Sequence, residues 1–275
     1  MRFAVISDIH NNLEAFRTAL DDIKNQNVDK ICCLGDLLGY GPNPLECIDR
    51  MMELCAKGQV DVCLLGNHDQ ATLFDPEGFN RIAEDAVFWT RKVLEDERGV
   101  RAQKRWDFLG ELPRIGRLSD DDLRDVFLFV HGSPRNPLNE YVFPEDVQDR
   151  LKMSKLFSLV PQYCFMGHTH VPGVFLDGGK EGYQYYSYQD IANDFDSKFP
   201  LDSRKLLINV GSIGQPRDYN PHSCYVIVQY ENGAANNSVE YRRVPYDVEK
   251  TADDFAKIPE LAKHPFLAQR IREGR

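Results

Sequence analysis

Five four-residue apolar runs, at 3–6, 31–34, 62–65, 127–130 and 163–166, each give way within two residues to polar side chains of the kind that bind a cation. Runs this short and this apolar read as strands buried on both faces. In chain order they end in Asp8-Ile9-His10, Gly35-Asp36, Gly66-Asn67-His68-Asp69, His131-Gly132-Ser133 and Gly167-His168-Thr169-His170. Between the first three runs lie two helical patterns. Leu13, Phe16, Leu20 and Ile23 form one apolar face over about 12–25, and Leu45, Ile48, Met51, Met52 and Cys55 form another over about 44–56, with Pro44 suited to a first turn. Strands joined by such helices are expected to be parallel, and ligands then bind at their carboxyl ends, where the polar cassettes lie.

Further along, 78–110 is predicted helical, with Phe79, Ile82, Ala86, Trp89 and Val93 on one face and a break near Gly99. Strands are expected at 124–130, 163–166, 172–177, 183–188, 205–210, 224–230 and 238–243, with a hairpin turn at 178–182 and a solvated turn at Asp120-Asp121-Asp122. Helical patterns return at about 144–153 and 248–272. With no repeat and no Pro/Gly/Ser-rich linker, residues 1–275 are expected to form one domain with two sheets. The last helical segment should pack on it through Phe255, Ile258, Leu261, Phe266, Leu267 and Ile271, any exposed part of this stripe being available to a homo-oligomer contact.

The formal net charge of −10 argues against general nucleic-acid or anionic-membrane binding, which needs clustered Lys and Arg. An acidic chain can still hold a small anionic substrate where bound cations reverse the local field. No apolar stretch is long enough to span a bilayer, and Met1-Arg2 leads straight into a strand. Seven cysteines, an odd number without Cys-x-x-Cys spacing, read as reduced core residues. The expected compartment is therefore the cytoplasm.

Carboxylate and imidazole donors together suit Mn, Fe, Zn or Co, and the absence of thiolate from every cassette argues against a Cys-rich structural zinc site. Each cassette alone also fits a helix cap or a turn. All five, in this order and at strand ends, do not reduce to that. The set resembles the calcineurin-like metallophosphoesterase superfamily, whose motifs run Asp-x-His, Gly-Asp, Gly-Asn-His-(Asp/Glu), His and Gly-His-x-His. The resemblance implies an α/β fold, a four-layer sandwich of two mixed β-sheets flanked by helices. It also implies two metal ions, Mn or Fe first and Zn, Co or Ni as further fits. Asp8, His10, Asp36 and His170 would hold one ion, and Asp36, Asn67, His131 and His168 the other. Hydrolysis of a phosphate ester by a hydroxide shared between the ions would follow, with His68 as proton donor or charge stabiliser and Asp69 as a candidate to orient it.

Protein Ser/Thr phosphatases of the superfamily carry Gly-Asp-x-x-Asp-Arg-Gly, whereas this chain reads Gly35-Asp36-Leu37-Leu38-Gly39-Tyr40-Gly41. A phosphoprotein substrate is accordingly disfavoured. The segments Gly39–Pro44 and Asn209–Asp218 instead resemble a bacterial branch of compact phosphodiesterases, some described as diadenosine-tetraphosphatase-like. The expected substrate is a small phosphate compound, a diester or a nucleotide-type phosphoanhydride, with asymmetrical diadenosine tetraphosphate hydrolysis as the runner-up. A non-catalytic scaffold of the same fold is the alternative from another class. Arg217 is a candidate phosphate contact; Asn12, near the first helix start, is a candidate contact or a cap. The tyrosines at 183, 185, 186 and 188 fit sheet packing better than base stacking.

Overall fold

In the computed structural model, which describes residues 1–275, the first three strand–helix units form as the periodicity predicts. Strands β1 (Arg2–Ile6), β2 (Lys30–Cys33) and β3 (Val60–Cys63) are parallel, joined by α1 (Leu13–Lys24) and α2 (Pro44–Ala56). The polar residues after β3 open a short helix, α3 (Asn67–Leu73), that the sequence reading did not foresee. The predicted helical stretch at 78–110 divides into α4 (Arg81–Asp96) and α5 (Val100–Glu111). It breaks at Gly99, whose φ of +89° lies where a residue with a side chain is strained.

The chain then builds a second sheet from β4 (Ile115–Gly116) and β5 (Phe127–Val130), with α6 (Arg150–Leu159) leading into β6 (Tyr163–Met166). The hairpin β7 (Gly173–Asp177) and β8 (Tyr183–Ser187) closes through the glycine-rich turn, as expected. After β8, Ser187 and Asp190 form a reciprocal cap that starts α7 (Tyr188–Phe195), so the predicted strand ends one residue early. Edge strand β9 (Lys198–Pro200) was not foreseen; β10 (Leu206–Asn209), β11 (Ser223–Gln229) and β12 (Ser238–Val244) follow. The C-terminal helical stretch is three helices rather than one, α8 (Val248–Ala256), α9 (Pro259–Ala262) and α10 (Pro265–Glu273), because Pro259 and Pro265 each open a new first turn.

Strand order is β3-β2-β1-β11-β12-β9 in one sheet and β4-β5-β6-β10-β7-β8 in the other. Each is mixed: β1 is parallel to β2 but antiparallel to β11, and β10 is parallel to β6 but antiparallel to β7. Alternation of side chains sorts the apolar runs between two cores. Phe3 and Val5 point between the sheets, where Phe3 meets Phe127 edge-on at 5.4 Å and Phe129 stacks on Phe165 at 5.5 Å. Ala4 and Ile6 point the other way, under Phe16 and Leu20 of α1 and Ile48 and Met51 of α2. On the far side, Leu128, Val130, Cys164 and Met166 pack against Met153, Leu156 and Phe157 of α6. The result is helices, sheet, sheet, helix, the four-layer sandwich that the motifs implied. The tyrosine-rich strand is spent on packing: Tyr183 stacks on Phe157, Tyr185 packs on Phe175, and Tyr186 lies against Phe195 and Phe199.

One ion pair ties the outer helices together. Arg105 of α5, buried, forms a two-pronged bond to Asp49 of α2 at 2.8 and 2.9 Å. Burial alone would raise the Asp49 pKa, but the bonds from Arg105 and Arg101 bring it below the ordinary carboxylate value. Arg105→Met removes the buried partner of Asp49, leaving it only the exposed Arg101, and is expected to cost about 2 kcal/mol of unfolding free energy at pH 7. Because the folded pKa is the depressed one, the deficit should be fully present above pH about 4 and shrink as pH falls through the folded value. Urea titrations at pH 7 and pH 3 check this; equal deficits at both would refute it.

Candidate metal centre

The cassettes converge at the carboxyl ends of β1, β2, β5 and β6 and at the start of α3. The turns that bring them in are tight. Asp8, His10, Asp36, His168 and His170 all have left-handed backbone, with φ between 49° and 66°. Such conformations cost non-glycine residues about 1–3 kcal/mol each and persist only where the surroundings impose them. Here the surroundings are backbone hydrogen bonds between loops: Asp8 N–H to Gly35 O, His10 N–H to Asp36 O and Gly214 N–H to Asp8 O, each 2.9–3.0 Å. Two glycines allow the approach. A Cβ on Gly66 would overlap the Asp36 amide and Oδ1, and one on Gly167 would overlap Ser7 Oγ and Asp8 Oδ2.

The side chains gather in two groups that share Asp36. In the first, Asp8 Oδ1 lies 3.1 Å from His170 Nε2, and His10 Nε2 lies 3.1 Å from that same nitrogen. In the second, His131 Nε2 lies 3.0 Å from Asn67 Oδ1 and 3.1 Å from His168 Nδ1. Asp36 Oδ2 stands between them, 3.5 Å from His10 Nε2 and 3.4 Å from His131 Nε2. Its other oxygen accepts the His68 N–H at 2.8 Å. All seven residues are buried.

Proton bookkeeping shows what these atoms lack. The Nδ1 atoms of His10, His170 and His131 each face a backbone carbonyl, of Leu38 at 3.0 Å, Gln215 at 2.5 Å and Leu34 at 3.1 Å. A carbonyl accepts only, so each Nδ1 carries the proton and each Nε2 presents a lone pair. The lone pairs of His10 and His170 then point at one another beside Asp8 Oδ1, an oxygen with no partner of its own. Acceptors facing acceptors at 3.1 Å are reconciled by a cation among them. The donor set of carboxylate, amide oxygen and imidazole fits a divalent ion, and three buried Asp/His groupings have ligand spacing.

On the protein charges alone, burial drives the His10 pKa far down and the His168 pKa to about 3, so both are neutral donors at pH 7. Burial also opposes protonation of His131, but Asp36, Asp8 and Asp69 override it and raise its pKa to about 9, so in the protein alone a proton occupies the Nε2 lone pair that a bound cation would take instead. For Asp36, burial is outweighed by His131 and His68, which hold the carboxyl well below the usual range. Burial lowers the His68 pKa to about 4 despite Asp36, with Arg217 adding to the fall.

One expectation changes and one alternative is resolved. The Asp69 carboxylate accepts N–H bonds from Leu37, Leu38 and Gly66, at 3.3, 2.9 and 3.0 Å, and does not bond His68. Its work in this structure is to tie the loop after β2 to the start of α3. The His68 Nδ1 has no hydrogen-bond partner and faces Gly39, where a Cβ would sit 2.5 Å away. Asn12 is fully engaged as well: Oδ1 caps α1 at Ala15, and Nδ2 donates to Gly214 O and Tyr246 Oη. It faces the loop after β10, not open space. Arg217, by contrast, is close to the centre, its N–H bonded to His170 O and its guanidinium 5.9 Å from the Tyr40 ring. Tyr40 lies 4.9 Å from His10 and 4.5 Å from His68, and Tyr141 stacks on His168 at 3.8 Å. Neither aromatic was singled out from the sequence; both sit in loops whose composition carries no periodic signal.

A family model described as calcineurin-like phosphoesterase matches residues 1–172, which contain all seven of these residues. The chain belongs to that family. The calcineurin-like phosphoesterases are metal-dependent hydrolases of phosphate esters, in keeping with the buried Asp and His groups. Beyond the matched segment, similarity extends over the whole chain. A protein of Methanocaldococcus jannaschii described as uncharacterized is 35% identical over 277 residues, covering 99% of this chain and 98% of that protein. The crystal structure of a metallophosphoesterase from Sphaerobacter thermophilus covers 100% of both chains at 30% identity, with a TM-score of 0.75. A hypothetical protein from Pyrococcus horikoshii OT3, 18% identical over 96% of this phosphoesterase and 97% of its own chain, shares the fold with a TM-score of 0.68. No helix of this phosphoesterase is long and apolar enough to cross a membrane.

Proposed function

We propose that the chain hydrolyses phosphodiester or nucleotide phosphoanhydride bonds at a centre of two metal ions, Mn or Fe first, that share Asp36. The observation that carries this reading is the position of Asp36 Oδ2, midway between the two ligand groups at 3.5 and 3.4 Å from their nearest imidazole nitrogens. When bound, such ions supply Lewis-acid stabilisation of the phosphoryl oxygens and a water of lowered pKa. The rest falls to the protein. Asp8, His10 and His170 hold one position and Asn67, His131 and His168 the other, while backbone carbonyls fix every needed tautomer except that of His168. Asp69 pins the loop that carries Asp36. His68 is the proton donor to the leaving oxygen. Arg217 holds a phosphoryl oxygen.

Where protein phosphatases of this superfamily have an Asp and an Arg, this chain has Gly39 and Tyr40, so His68 Nδ1 faces glycine instead of a carboxylate. That favours a small substrate over a phosphoprotein. Retention of every ligand and of His68 favours an enzyme over a scaffold. The partner implied is a small phosphate compound, with no role for general nucleic-acid or membrane binding.

The test is a panel of bis-p-nitrophenyl phosphate, p-nitrophenyl phosphate and diadenosine tetraphosphate, assayed with Mn on protein whose metal content has been measured. Turnover of the diester or the tetraphosphate above the monoester is expected. No turnover of any of the three with about two ions bound would sink the reading.

Bound ions should also stabilise the fold, because ligands from both sheets meet on them. At a free concentration about 100-fold above Kd an ion contributes about 2.7 kcal/mol. Chelation is therefore expected to lower Tm by at least about 5 °C, with Mn restoring it. An unchanged Tm after complete metal removal, measured by calorimetry and elemental analysis, would contradict this.

A further inference from the structure

Two arginines next to the metal centre have no carboxylate partner. Arg217 follows the loop after β10, and Arg270 comes from α10, the last helix of the chain. Both point to one atom: Gln215 Oε1 lies 2.9 Å from an Arg217 Nη and 3.5 Å from an Arg270 Nη. Both also lie against one ring, with guanidinium carbons 5.9 and 5.8 Å from the Tyr40 centroid. The nearest acid in sequence, Asp218, is paired with Arg243. The Nε–H of Arg217 and that of Arg270 are each buried without an acceptor.

This arrangement is costly in the protein alone. Burial and the neighbouring Arg217 both lower the Arg270 pKa, the direction expected of two cations held together without a counter-ion. In a chain of net charge −10, leaving two guanidiniums unpaired beside a buried ring calls for an anion that arrives from outside. The pair is linked directly to the ligands. Gln215, whose side chain receives both arginines, accepts the His170 Nδ1–H on its backbone carbonyl, and Tyr40 separates the pair from His10 and His68 by one ring. An anion on the arginines would therefore lie across the Tyr40 ring from His10 and His68.

We propose that Arg217 and Arg270 form a subsite for a second phosphoryl group of the substrate, so that the substrate class is a phosphoanhydride or polyphosphate rather than a diester with a single phosphorus. Paired guanidiniums suit this task because each offers a planar fork of donors that matches phosphate oxygens. The proposal rests on the hydrolase reading above and narrows it. It also gives the C-terminal helices a purpose beyond packing. Tyr40, Ala86 of α4, Phe255 of α8 and Ile271 of α10 share one apolar cluster, which holds Arg270 in position.

Two measurements test it. The first is kinetic, on Mn-loaded wild type and Arg270→Met, a change that keeps apolar bulk against Tyr40 and Phe266. The ratio of kcat/KM for diadenosine tetraphosphate to that for bis-p-nitrophenyl phosphate should fall about 30-fold, mainly through KM of the tetraphosphate. An unchanged ratio would overturn the proposal while leaving the hydrolase reading intact. The second needs no catalysis. Metal-free wild type should gain thermal stability with tripolyphosphate, a gain lost in both Arg270→Met and Arg217→Gln; no gain, or a gain that survives both changes, overturns the proposal even if neither substrate is turned over. If the Mn-loaded enzyme cleaves tripolyphosphate itself, the source of the polyphosphate is inorganic; cleavage of the dinucleotide alone makes it a nucleotide.

Discussion

Asp36→Asn is expected to reduce bound metal from about two ions per chain to fewer than one and to lower turnover by about 10³-fold or more. The reasoning starts from position. Asp36 Oδ2 is the one protein oxygen close to both ligand groups, and Oδ1 is held by the His68 N–H at 2.8 Å, so the carboxylate cannot swing to favour one side. An amide keeps the shape and removes the charge. If its NH₂ faces the ligands it presents protons to lone pairs; if its oxygen does, the NH₂ faces the His68 N–H. Either way an N–H is aimed at a site built for an acceptor. Loss of several kcal/mol of Lewis-acid stabilisation corresponds to about three powers of ten in rate. Elemental analysis and a phosphodiester assay on one preparation decide the matter. A variant that retains two ions and more than about a tenth of the wild-type rate would show that Asp36 is not shared.

His68→Ala should do the opposite with metal and nearly the same with rate. Asn67 and Asp69, its neighbours in α3, are held respectively by His131 and by three backbone amides, so the cassette keeps its shape when the imidazole is removed. Metal content is expected to stay near the wild-type value while turnover drops by about 10²–10⁴-fold, the range for loss of a positioned proton donor. The deficit should be smaller for a leaving group that needs no proton, such as p-nitrophenolate, than for an alcohol or a phosphate. There is a competing outcome of equal interest. A ring nitrogen of His68 has ligand spacing to His10 and Asp36, and loss of one ion in the variant would make His68 a ligand instead.

What could be read in advance follows from how each feature is encoded. The strands and their polar ends are local: four apolar residues, then glycine, then a ligand, so the cassette and its place at a strand end occur together in one short window. Helix faces with a 3.6-residue period were equally local. The residues that escaped notice act at long range. Arg270 reads as an ordinary basic residue in the last turn of an amphipathic helix, and nothing near it says that α10 packs on α8 so as to reach a ring 230 residues earlier. Gln215 was inside a loop recognised as glycine-rich, but the use of its carbonyl for His170 and its amide for two arginines depends on three separate segments meeting. Asp69 and Asn12 were ambiguous for a different reason, and of the two readings given for Asn12 it is the helix cap that the structure shows. Both are polar, buried and next to ligands, and a carboxylate or amide in that position serves equally well to hold backbone N–H groups as to touch a substrate. Only the partner atoms distinguish the two.

The strand order carries a consequence for how the site is assembled. β1, the first strand in sequence order, sits inside its sheet between β2 and β11, residues 223–229. Asp8 and His10 hang from its end, and their loop is fastened by Ser212 and Gly214, which arrive almost as late. The earliest ligands in the chain are thus shaped by some of its latest residues. A chain holding every candidate ligand through His170 but not residues 209–229 would pair β1 with β2 alone and leave the Asp8 loop without its bonds from Ser212 and Gly214, so the shape of the earliest candidate ligands is completed by sequence about 200 residues away.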